Sequence, residues 1–243
     1  MKDKVILVSG AAHRVGKQIA RTLHESGAKI IIHYRRSQQA AEQLSQELNT
    51  QRANSAQIVC ADLDQQTAYE SLIAESHACF GQLDALINNA SEFFPTEIGT
   101  VTPENWDSLF NSNLKAPFFL AQAALPHLRK TSGNIINIVD IHADRPMKGY
   151  PVYCMAKAGL AMMTKALAKE LGPDIRVNGV APGAVMWPDD MPEDVQNEIL
   201  ARTALKKPGS ALDIAKTVRF ILQDAPYMTG QIIAIDGGRS LNV

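Results

Sequence analysis

The segment that decides the fold reads Val5-Ile6-Leu7-Val8-Ser9-Gly10-Ala11-Ala12-His13-Arg14-Val15-Gly16. Its first four residues form a short apolar run, which predicts a buried strand, and an amphipathic segment that predicts a helix begins at Arg14. Small residues between a strand and a helix let backbone N–H groups and the helix N-terminus approach a pyrophosphate. Gly and Ala occur in most strand-to-helix turns, so this segment alone is weak evidence for such a site.

The same alternation of apolar runs and amphipathic segments continues along the chain. We predict strands at residues 5–8, 29–33, 56–60, 85–87, 134–139, 175–180 and 231–235, and helices at 14–25, 38–49, 65–80, 103–128, 153–171 and 211–223. The strands are largely continuous in Ile and Val, which is typical of strands covered on both faces. Repeated strand-helix-strand order implies parallel pairing with right-handed crossovers. The predicted fold class is α/β, a doubly wound sheet of seven parallel strands with helices on both faces.

Length and composition restrict the class of protein. The chain has 243 residues, 46% of them hydrophobic, so we expect a single domain spanning residues 1–243. The formal net charge is -1 with acidic and basic residues interspersed, which argues against a nucleic-acid partner. We find no signal-peptide pattern and no apolar run long enough to span a membrane, and therefore expect a cytoplasmic protein. Cys60, Cys79 and Cys154 lack metal-ligand spacing, which favours reduced thiols and no metal site.

Residues 184–204 form the most irregular stretch, and Trp187-Pro188-Asp189-Asp190-Met191-Pro192 interrupts the rhythm of elements there. Two interpretations stay open, a substrate lid over a cleft and a surface excursion without function. If the segment is a lid, Met147, Trp187 and Met191 are candidates for the wall of the pocket.

The end of the second strand indicates which dinucleotide the glycine turn would bind. A site that prefers NAD carries Asp or Glu there to accept hydrogen bonds from the ribose. Here the residues are His33-Tyr34-Arg35-Arg36-Ser37, with two guanidinium groups and no acid. Because Arg binds phosphate through charge-assisted hydrogen bonds, NADPH is the favoured cofactor. The alternative is a solvated basic turn.

Polar residues also end the next two strands. Asp62, in Ala61-Asp62-Leu63, is suited to accept a hydrogen bond from the adenine amino group. Asn88-Asn89-Ala90 ends the fourth strand at the edge where open parallel sheets bind ligands. Either segment, taken alone, is also typical of an ordinary turn.

Tyr153 and Lys157 are four residues apart in a predicted helix, so both side chains leave the same helix face. An ammonium favours phenolate and lowers a tyrosine pKa that is ordinarily ~10. Asp140 closes the fifth predicted strand, where its side chain can point into a shared cleft. An ionised Asp140 would raise the tyrosine pKa and oppose the lysine. When substrate is bound, we expect Asp140 to be at least partly protonated or to share its proton with Tyr153; the alternative is a carboxylate that caps backbone N–H groups at the strand end.

These motifs together resemble the short-chain dehydrogenase/reductases over essentially the whole chain. The match rests on the glycine turn, Asn88-Asn89-Ala90, Asn113, Tyr153-x-x-x-Lys157 and Pro182-Gly183, in the family's order and at its separations. The resemblance implies a seven-stranded Rossmann-like sheet, a proton-donating Tyr153, a lysine that holds the nicotinamide ribose and an Asn113 that anchors a water in a proton relay. It also implies a homotetramer. The face formed by Leu160, Met163, Thr164 and Leu167 belongs either to a subunit interface or to the side of the helix that covers the sheet.

Two departures from the general family pattern resemble its pteridine reductases. Asp140 stands where the family usually has serine, and Arg14 stands where the phosphate turn usually has its middle glycine. Arg36-Ser37, residues 88–95 and the segment from Asp140 to Lys157 also match that subfamily. The resemblance implies a pterin substrate bound by Arg14, Ser91, Phe93, Asp140, Tyr153 and Trp187. The candidate NADPH-binding residues are Gly10, His13, Arg14, Val15, Gly16, His33, Tyr34, Arg36, Ser37, Asp62, Leu63, Asn89, Ala90, Ser91, Tyr153, Lys157, Pro182 and Gly183.

A pterin is flat, so Phe93 can stack on one face while the nicotinamide covers the other; packing in the core is the alternative for Phe93, and the adjacent Phe94 is the candidate for a buried ring. The expected reaction is the reduction of 7,8-dihydropterins to tetrahydropterins, with oxidised pterins and dihydrofolate as further candidate substrates. The alternatives are a carbonyl reductase, such as a 3-oxoacyl thioester reductase, and a non-catalytic NADP-binding sensor.

Overall fold

The computed structural model describes residues 1–187 and 191–242. Within them, seven parallel strands form a single sheet in the order β3-β2-β1-β4-β5-β6-β7. The strands are β1 (Val5–Val8), β2 (Lys29–Tyr34), β3 (Ala56–Cys60), β4 (Ala85–Asn88), β5 (Asn134–Ile138), β6 (Arg176–Pro182) and β7 (Ile232–Ile235). The predicted α/β fold with seven parallel strands and helices on both faces is therefore confirmed.

Strand β1 lies at the position where the order of the sheet reverses. It pairs in parallel with β2 on one side and with β4 on the other. Ligands of open α/β sheets bind in the crevice outside the carboxyl ends of the strands at such a reversal. The glycine turn after β1 and Asn89 after β4 meet in this crevice, which explains why polar residues at strand ends carry so much of the sequence signal.

The helices are α1 (Arg14–Glu25), α2 (Gln38–Gln51), α3 (Ala68–Phe80), α4 (Pro103–Phe110), α5 (Ala116–Thr131), α6 (Pro151–Leu171), α7 (Glu193–Ala201) and α8 (Ala211–Gln223). They cover both faces of the sheet, and the alternation along β1 shows the two layers. Ile6 and Val8 pack in the core with α1, α2 and α8, whereas Val5 and Leu7 pack with α3, α5 and α6. Burial on both faces accounts for the continuous apolar strands.

Two segments differ from the sequence prediction. The predicted helix at 103–128 is interrupted at Asn111–Lys115, where the backbone widens into a π-helical turn between α4 and α5. Such π-bulges are frequent at functional sites. Residues 184–204, predicted as irregular, contain helix α7, which has no fully buried residue and therefore leaves no apolar stripe in the sequence. Part of the predicted lid, residues 188–190, lies outside the described residues.

One open question about helix α6 is answered by its packing. Leu160, Met163 and Thr164 are buried in this chain, where Leu160 and Met163 pack on Val139 and Ala181 of the sheet layer. This face therefore belongs to the core of the subunit, and the interpretation as a subunit interface is wrong for it. None of the helices within residues 1–187 and 191–242 combines the length and the hydropathy of a membrane-spanning segment.

Candidate active site

The phosphate turn is closely packed against the end of β4. Gly10 has a φ of +62°, and a Cβ on it would lie 3.0 Å from Ala90 Cα. A Cβ on Gly16 would lie 2.4 Å from Gly10 O and 2.5 Å from Asn89 Nδ2. Side chains at these two positions would displace backbone, so only glycine allows the turn to close. The result is a cradle of backbone N–H groups at the N-terminus of α1, which suits a pyrophosphate.

Asn89 and Ser9 fix the geometry of this cradle. Asn89 Nδ2 donates hydrogen bonds to Ser9 O (2.9 Å) and Gly10 O (3.1 Å). Ser9 Oγ accepts hydrogen bonds from Asn89 N (2.9 Å) and Ala90 N (3.0 Å). The side chain that the sequence indicated as a cofactor ligand therefore joins β4 to the turn.

The side chain of His33 joins the turn at Gly10 to the end of strand β3 through hydrogen bonds. Its Nδ1 lies 3.1 Å from Gly10 N, and its Nε2 lies 3.1 Å from Ala61 O. Burial lowers the pKa of His33 to about 4, so the ring is neutral at physiological pH. In that state Nδ1 accepts the proton of Gly10 N–H and Nε2 donates to the carbonyl. His33 lines the pocket, and its polar atoms serve the turn.

The two arginines after β2 have different environments. Arg35 forms ion pairs with Asp64 (2.8 Å) and Glu92 (3.0 Å), and Asp62 lies 3.7 Å away. Arg36 is exposed, and Ser37 makes no capping hydrogen bond at the start of α2. The carboxylates neutralise Arg35, so the Arg36-Ser37 pair is the better candidate for a phosphate.

Asp140 contacts both the candidate proton donor and the backbone. Its Oδ2 accepts a hydrogen bond of 2.8 Å from Tyr153 Oη. Its Oδ1 accepts one of 2.9 Å from His142 N and thereby caps the 3-10 turn at Ile141–Ala143. The two interpretations of Asp140 from the sequence are thus compatible, because Oδ2 contacts the tyrosine while Oδ1 caps the backbone.

The electrostatics of the tyrosine differ from the sequence expectation. Burial, reinforced by Asp140, raises the pKa of Tyr153 well above its ordinary value. Lys157 is fully buried; burial lowers its pKa to about 8, and its Nζ donates a hydrogen bond of 2.9 Å to Ile138 O. The net direction is therefore opposite to the effect expected of Lys157 alone, because Asp140 is hydrogen-bonded to the phenol whereas the ammonium is bonded to a strand end. Tyr153 consequently retains its proton.

Asn113 lies in the π-helical turn, 1% exposed. Its Nδ2 donates to Glu92 O (2.9 Å) and Leu109 O (3.0 Å). Its Oδ1 is buried and has no hydrogen-bond partner among residues 1–187 and 191–242. A buried acceptor of this kind suits a water or a ligand donor, which agrees with the relay role that the sequence resemblance implies.

A pocket of about 520 Å³ joins these groups. Phe93, 47% exposed, lines it, stacks on Tyr150 at 4.7 Å and meets the Tyr153 ring edge-on at 4.9 Å. Phe94 instead packs in the cluster around Leu109. The exposed face of Phe93 is therefore available to a planar ring.

Arg14 also lines the pocket, and its Nη2 donates a hydrogen bond of 3.1 Å to Trp187 O. Ser91, Trp187, Met147 and Met191 also line the pocket. The start of the 184–204 segment, residues 184–187, thus lines the pocket.

Most of the predicted site residues come together in this pocket, and some do not. The pocket wall does not include Tyr34, Arg36, Ser37, Asp62 or Asn113. Several residues that do line it were not assigned to a site from the sequence, among them Asp64, Ser112, His142, Ile199 and Arg239. Arg239 directly follows Gly237-Gly238 at the end of the last strand, a turn signal from which its place at an edge of the sheet follows.

The chain is similar over nearly its whole length to known reductases. A family model described as enoyl-(acyl carrier protein) reductase matches residues 10–240. Pteridine reductase 1 of Leishmania tarentolae is 37% identical, in an alignment that covers 98% of this chain and 96% of that protein. The 3-oxoacyl-(acyl-carrier-protein) reductase FabG of Staphylococcus aureus (strain N315) is 35% identical, with 97% of each chain covered.

Proposed function

Because this chain belongs to the short-chain dehydrogenase/reductase family of oxidoreductases, we propose that it is an NADPH-dependent pteridine reductase that reduces 7,8-dihydropterins to tetrahydropterins. The observation that carries the proposal is the 2.8 Å hydrogen bond between Tyr153 Oη and Asp140 Oδ2. Reduction of a C=O bond also delivers a proton to the substrate, and a serine hydroxyl beside the tyrosine is well suited to hydrogen-bond that oxygen. Reduction of a C=N bond delivers a proton to a ring nitrogen, and a tyrosine coupled to a carboxyl group can supply and replenish it.

The residues fit NADP. The glycine cradle suits the pyrophosphate, Arg36 and Ser37 would hold the 2′-phosphate, and Lys157 would hold the nicotinamide ribose. When bound, the nicotinamide supplies the hydride. Among the other predicted cofactor ligands, Tyr34 and Asp62 do not line the pocket, whereas the following do: His13, Arg14, Val15, His33, Leu63, Asn89, Ala90, Ser91, Tyr153, Pro182 and Gly183.

Tyr153 performs the proton transfer in this proposal. Its raised pKa keeps the proton on Oη at physiological pH, ready for donation to N5 of the dihydropterin. Asp140 holds the hydroxyl in position and takes part in returning a proton to it afterwards. Asn113, through its unpaired Oδ1, would order the water that links this pair to solvent.

The pterin would lie against Phe93, whose exposed ring face lines the pocket. Ser91 would hydrogen-bond the aminopyrimidine end, Arg14 would reach its polar edge, and Trp187 would close the site from the 184–204 side. Holding the ring between two planar groups fixes C6 and N5 for reaction, which is the contribution of orientation to catalysis.

A second candidate function is that of a 3-oxoacyl thioester reductase, favoured by the FabG relatives, which are nearly as similar as the pteridine reductase. Purified protein incubated with NADPH and, in parallel, dihydrobiopterin, dihydromonapterin, dihydrofolate and acetoacetyl thioester separates the two. We expect NADPH oxidation with the dihydropterins and little with the thioester. Turnover of the thioester alone would overturn the proposal, and turnover of none would favour an NADP-binding sensor.

The proposal extends to the form of the protein in the cell. We infer one domain over residues 1–243 with a substrate lid around 184–204, located in the cytoplasm and assembled as a homotetramer. Residues on the outer side of α6, where Met155 is 45% exposed and Met162 is 64% exposed, are available for subunit contacts in such an assembly.

A further inference from the structure

Arg239 is a cation without an assigned role in the pocket wall. Four lysine and arginine side chains line the described part of the pocket, namely Arg14, Arg35, Lys157 and Arg239. The first three have partners: Arg14 donates to Trp187 O, Arg35 pairs with carboxylates and Lys157 donates to Ile138 O. Arg239 Nε is buried without a hydrogen-bond partner among residues 1–187 and 191–242, and none of the ion pairs in these ranges includes Arg239.

Asp140 and Asp236 are the two carboxylates that raise the pKa of Arg239, but neither accepts a hydrogen bond from its side chain. Asp140 accepts hydrogen bonds from Tyr153 Oη and His142 N, and Asp236 accepts them from Gly238 N (3.0 Å) and Ser240 N (2.7 Å). Burial lowers the pKa of Arg239 below its ordinary value, Asp140 opposes that shift, and Arg202 adds to it. A half-buried guanidinium with an unpaired N–H is costly unless a ligand completes its hydrogen bonds.

The backbone around Arg239 is fixed, so the side chain is presented on a rigid turn. Asp236 closes the turn through the two backbone hydrogen bonds above, and Leu205 N donates a hydrogen bond of 3.0 Å to Gly237 O, which joins the turn to the segment after α7. Gly237 and Gly238 both have positive φ, +61° and +78°. The turn is therefore a built part of the pocket.

We propose that Arg239 binds an anionic group, a carboxylate or a phosphate, on the side chain that the dihydropterin carries at C6; this inference rests on the proposed function. In that reaction Tyr153 protonates N5, and the side chain is attached to the adjacent carbon. It must therefore leave the ring beside Tyr153 and Asp140, in the pocket that Arg239 also lines. A guanidinium group binds a carboxylate and a phosphate alike through two parallel hydrogen bonds. The experiment below therefore has to distinguish which of the two anions Arg239 binds.

The test compares three 7,8-dihydropterins that share the reacting ring, with NADPH saturating: dihydrobiopterin, whose side chain is neutral, dihydrofolate, which carries carboxylates, and dihydroneopterin 3′-phosphate. For the wild-type protein we expect at least one anionic substrate to have the lower KM, with a KM that rises with ionic strength. Arg239→Gln should raise that KM about 10- to 100-fold relative to the KM of dihydrobiopterin, with a much smaller effect on kcat. Arg239→Lys, which keeps the charge, should restore part of the preference.

Arg202→Gln is the matched control, because Arg202 is close to the same turn but pairs with Glu198 at 2.7 Å and does not line the pocket. It should keep the wild-type preference. Loss of the preference in Arg239→Gln, with retention in Arg202→Gln, supports the proposal, and the arm affected identifies carboxylate or phosphate. If Arg239→Gln changes kcat/KM for all three substrates by one factor, or if wild type has no anion preference, Arg239 has another role and the proposal is overturned while the pteridine reductase function stands. Absence of turnover with every dihydropterin would instead overturn the proposed function, and this inference with it.

Discussion

Replacing the buried lysine should make the protein more stable and inactive. Lys157 is fully buried with a pKa lowered from 10.5 to about 8 by burial. At about 1.4 kcal/mol per pKa unit, holding the charged form in the fold costs about 3 kcal/mol at pH 7. Lys157→Met removes this cost and also leaves Ile138 O without its donor, a loss of about 1 kcal/mol. We therefore expect the variant to unfold with a free energy about 2 kcal/mol higher at pH 7.

The stability difference between wild type and Lys157→Met should depend on pH, because burial lowers the pKa of Lys157. Between about pH 8 and 10.5 the unfolded chain keeps the lysine proton that the folded chain has lost. Stability of the wild-type protein therefore rises with pH in this window, by about 1.4 kcal/mol per pH unit from this group, and the advantage of Lys157→Met shrinks accordingly. Tyr153 retains its proton in the fold and loses it in the unfolded chain only near pH ~10, so measurements at pH 7 to 9.5 avoid its contribution.

Urea unfolding of both proteins without cofactor, at one protein concentration and several pH values in that range, measures the difference directly. Lys165→Met is the control, because Lys165 lies on the same helix α6 but is exposed; its free energy of unfolding should follow that of wild type at every pH. A Lys157→Met variant that is less stable than wild type at pH 7, or whose advantage is the same at pH 7 and 9.5, would refute the reasoning that burial destabilises the charged lysine.

Three further variants test separate parts of the site. Tyr153→Phe should lower kcat with a dihydropterin about 100-fold or more while cofactor affinity is retained, as measured by NADPH fluorescence titration, because only the proton donor is removed; near-normal kcat would exclude Tyr153 as the donor. Gly16→Ala should abolish NADPH binding in the same titration, because its Cβ would lie 2.4 Å from Gly10 O; unchanged affinity would contradict the close packing of the cradle. Arg36→Gln should raise the KM for NADPH about 10- to 100-fold and leave the KM for NADH nearly unchanged. Arg35→Gln should lower the melting temperature and leave the preference for NADPH over NADH nearly unchanged, because Arg35 is paired with carboxylates. If only Arg35→Gln lost the preference for NADPH, Arg35 and not Arg36 would bind the 2′-phosphate.

The sheet and its order of elements were predictable because their signal is local. Continuous Ile and Val runs, as at Ile30–Ile32, are buried on both faces and can be recognised without tertiary information. The same holds for the positions of Gly10 and Asp140, which follow from their places at strand ends. Helix α7 (Glu193–Ala201) was missed because it has no fully buried residue, so the apolar periodicity on which helix prediction depends is absent.

The electrostatics of the site could not be read from the sequence because they depend on burial and on partners distant in the chain. The spacing of Tyr153 and Lys157 shows that they share a helix face, but it does not reveal that Asp140 is bonded to the phenol or that the ammonium is fully buried. Arg35 pairs with Glu92, which is 57 residues away in the chain. The sequence therefore does not show that Arg35 is neutralised and that Arg36 is the better candidate for the phosphate. The helix is interrupted at Asn111–Lys115, where Asn113 is buried with an oxygen that has no hydrogen-bond partner in the described part of the chain; this interruption also leaves no mark on apolar periodicity.

We propose that Asp140, through its hydrogen bond with Tyr153, adapts the active site to the reduction of pterins. The most direct test is kcat/KM for dihydrobiopterin in Asp140→Ser and Asp140→Asn, compared with wild type, with NADPH affinity measured alongside to show that the cofactor site is intact. We predict that both variants lose about 100-fold or more in kcat/KM, because neither can replenish the proton of the tyrosine, and that NADPH affinity stays close to wild type. An Asp140→Ser protein that turns over dihydrobiopterin at the full wild-type rate would contradict it.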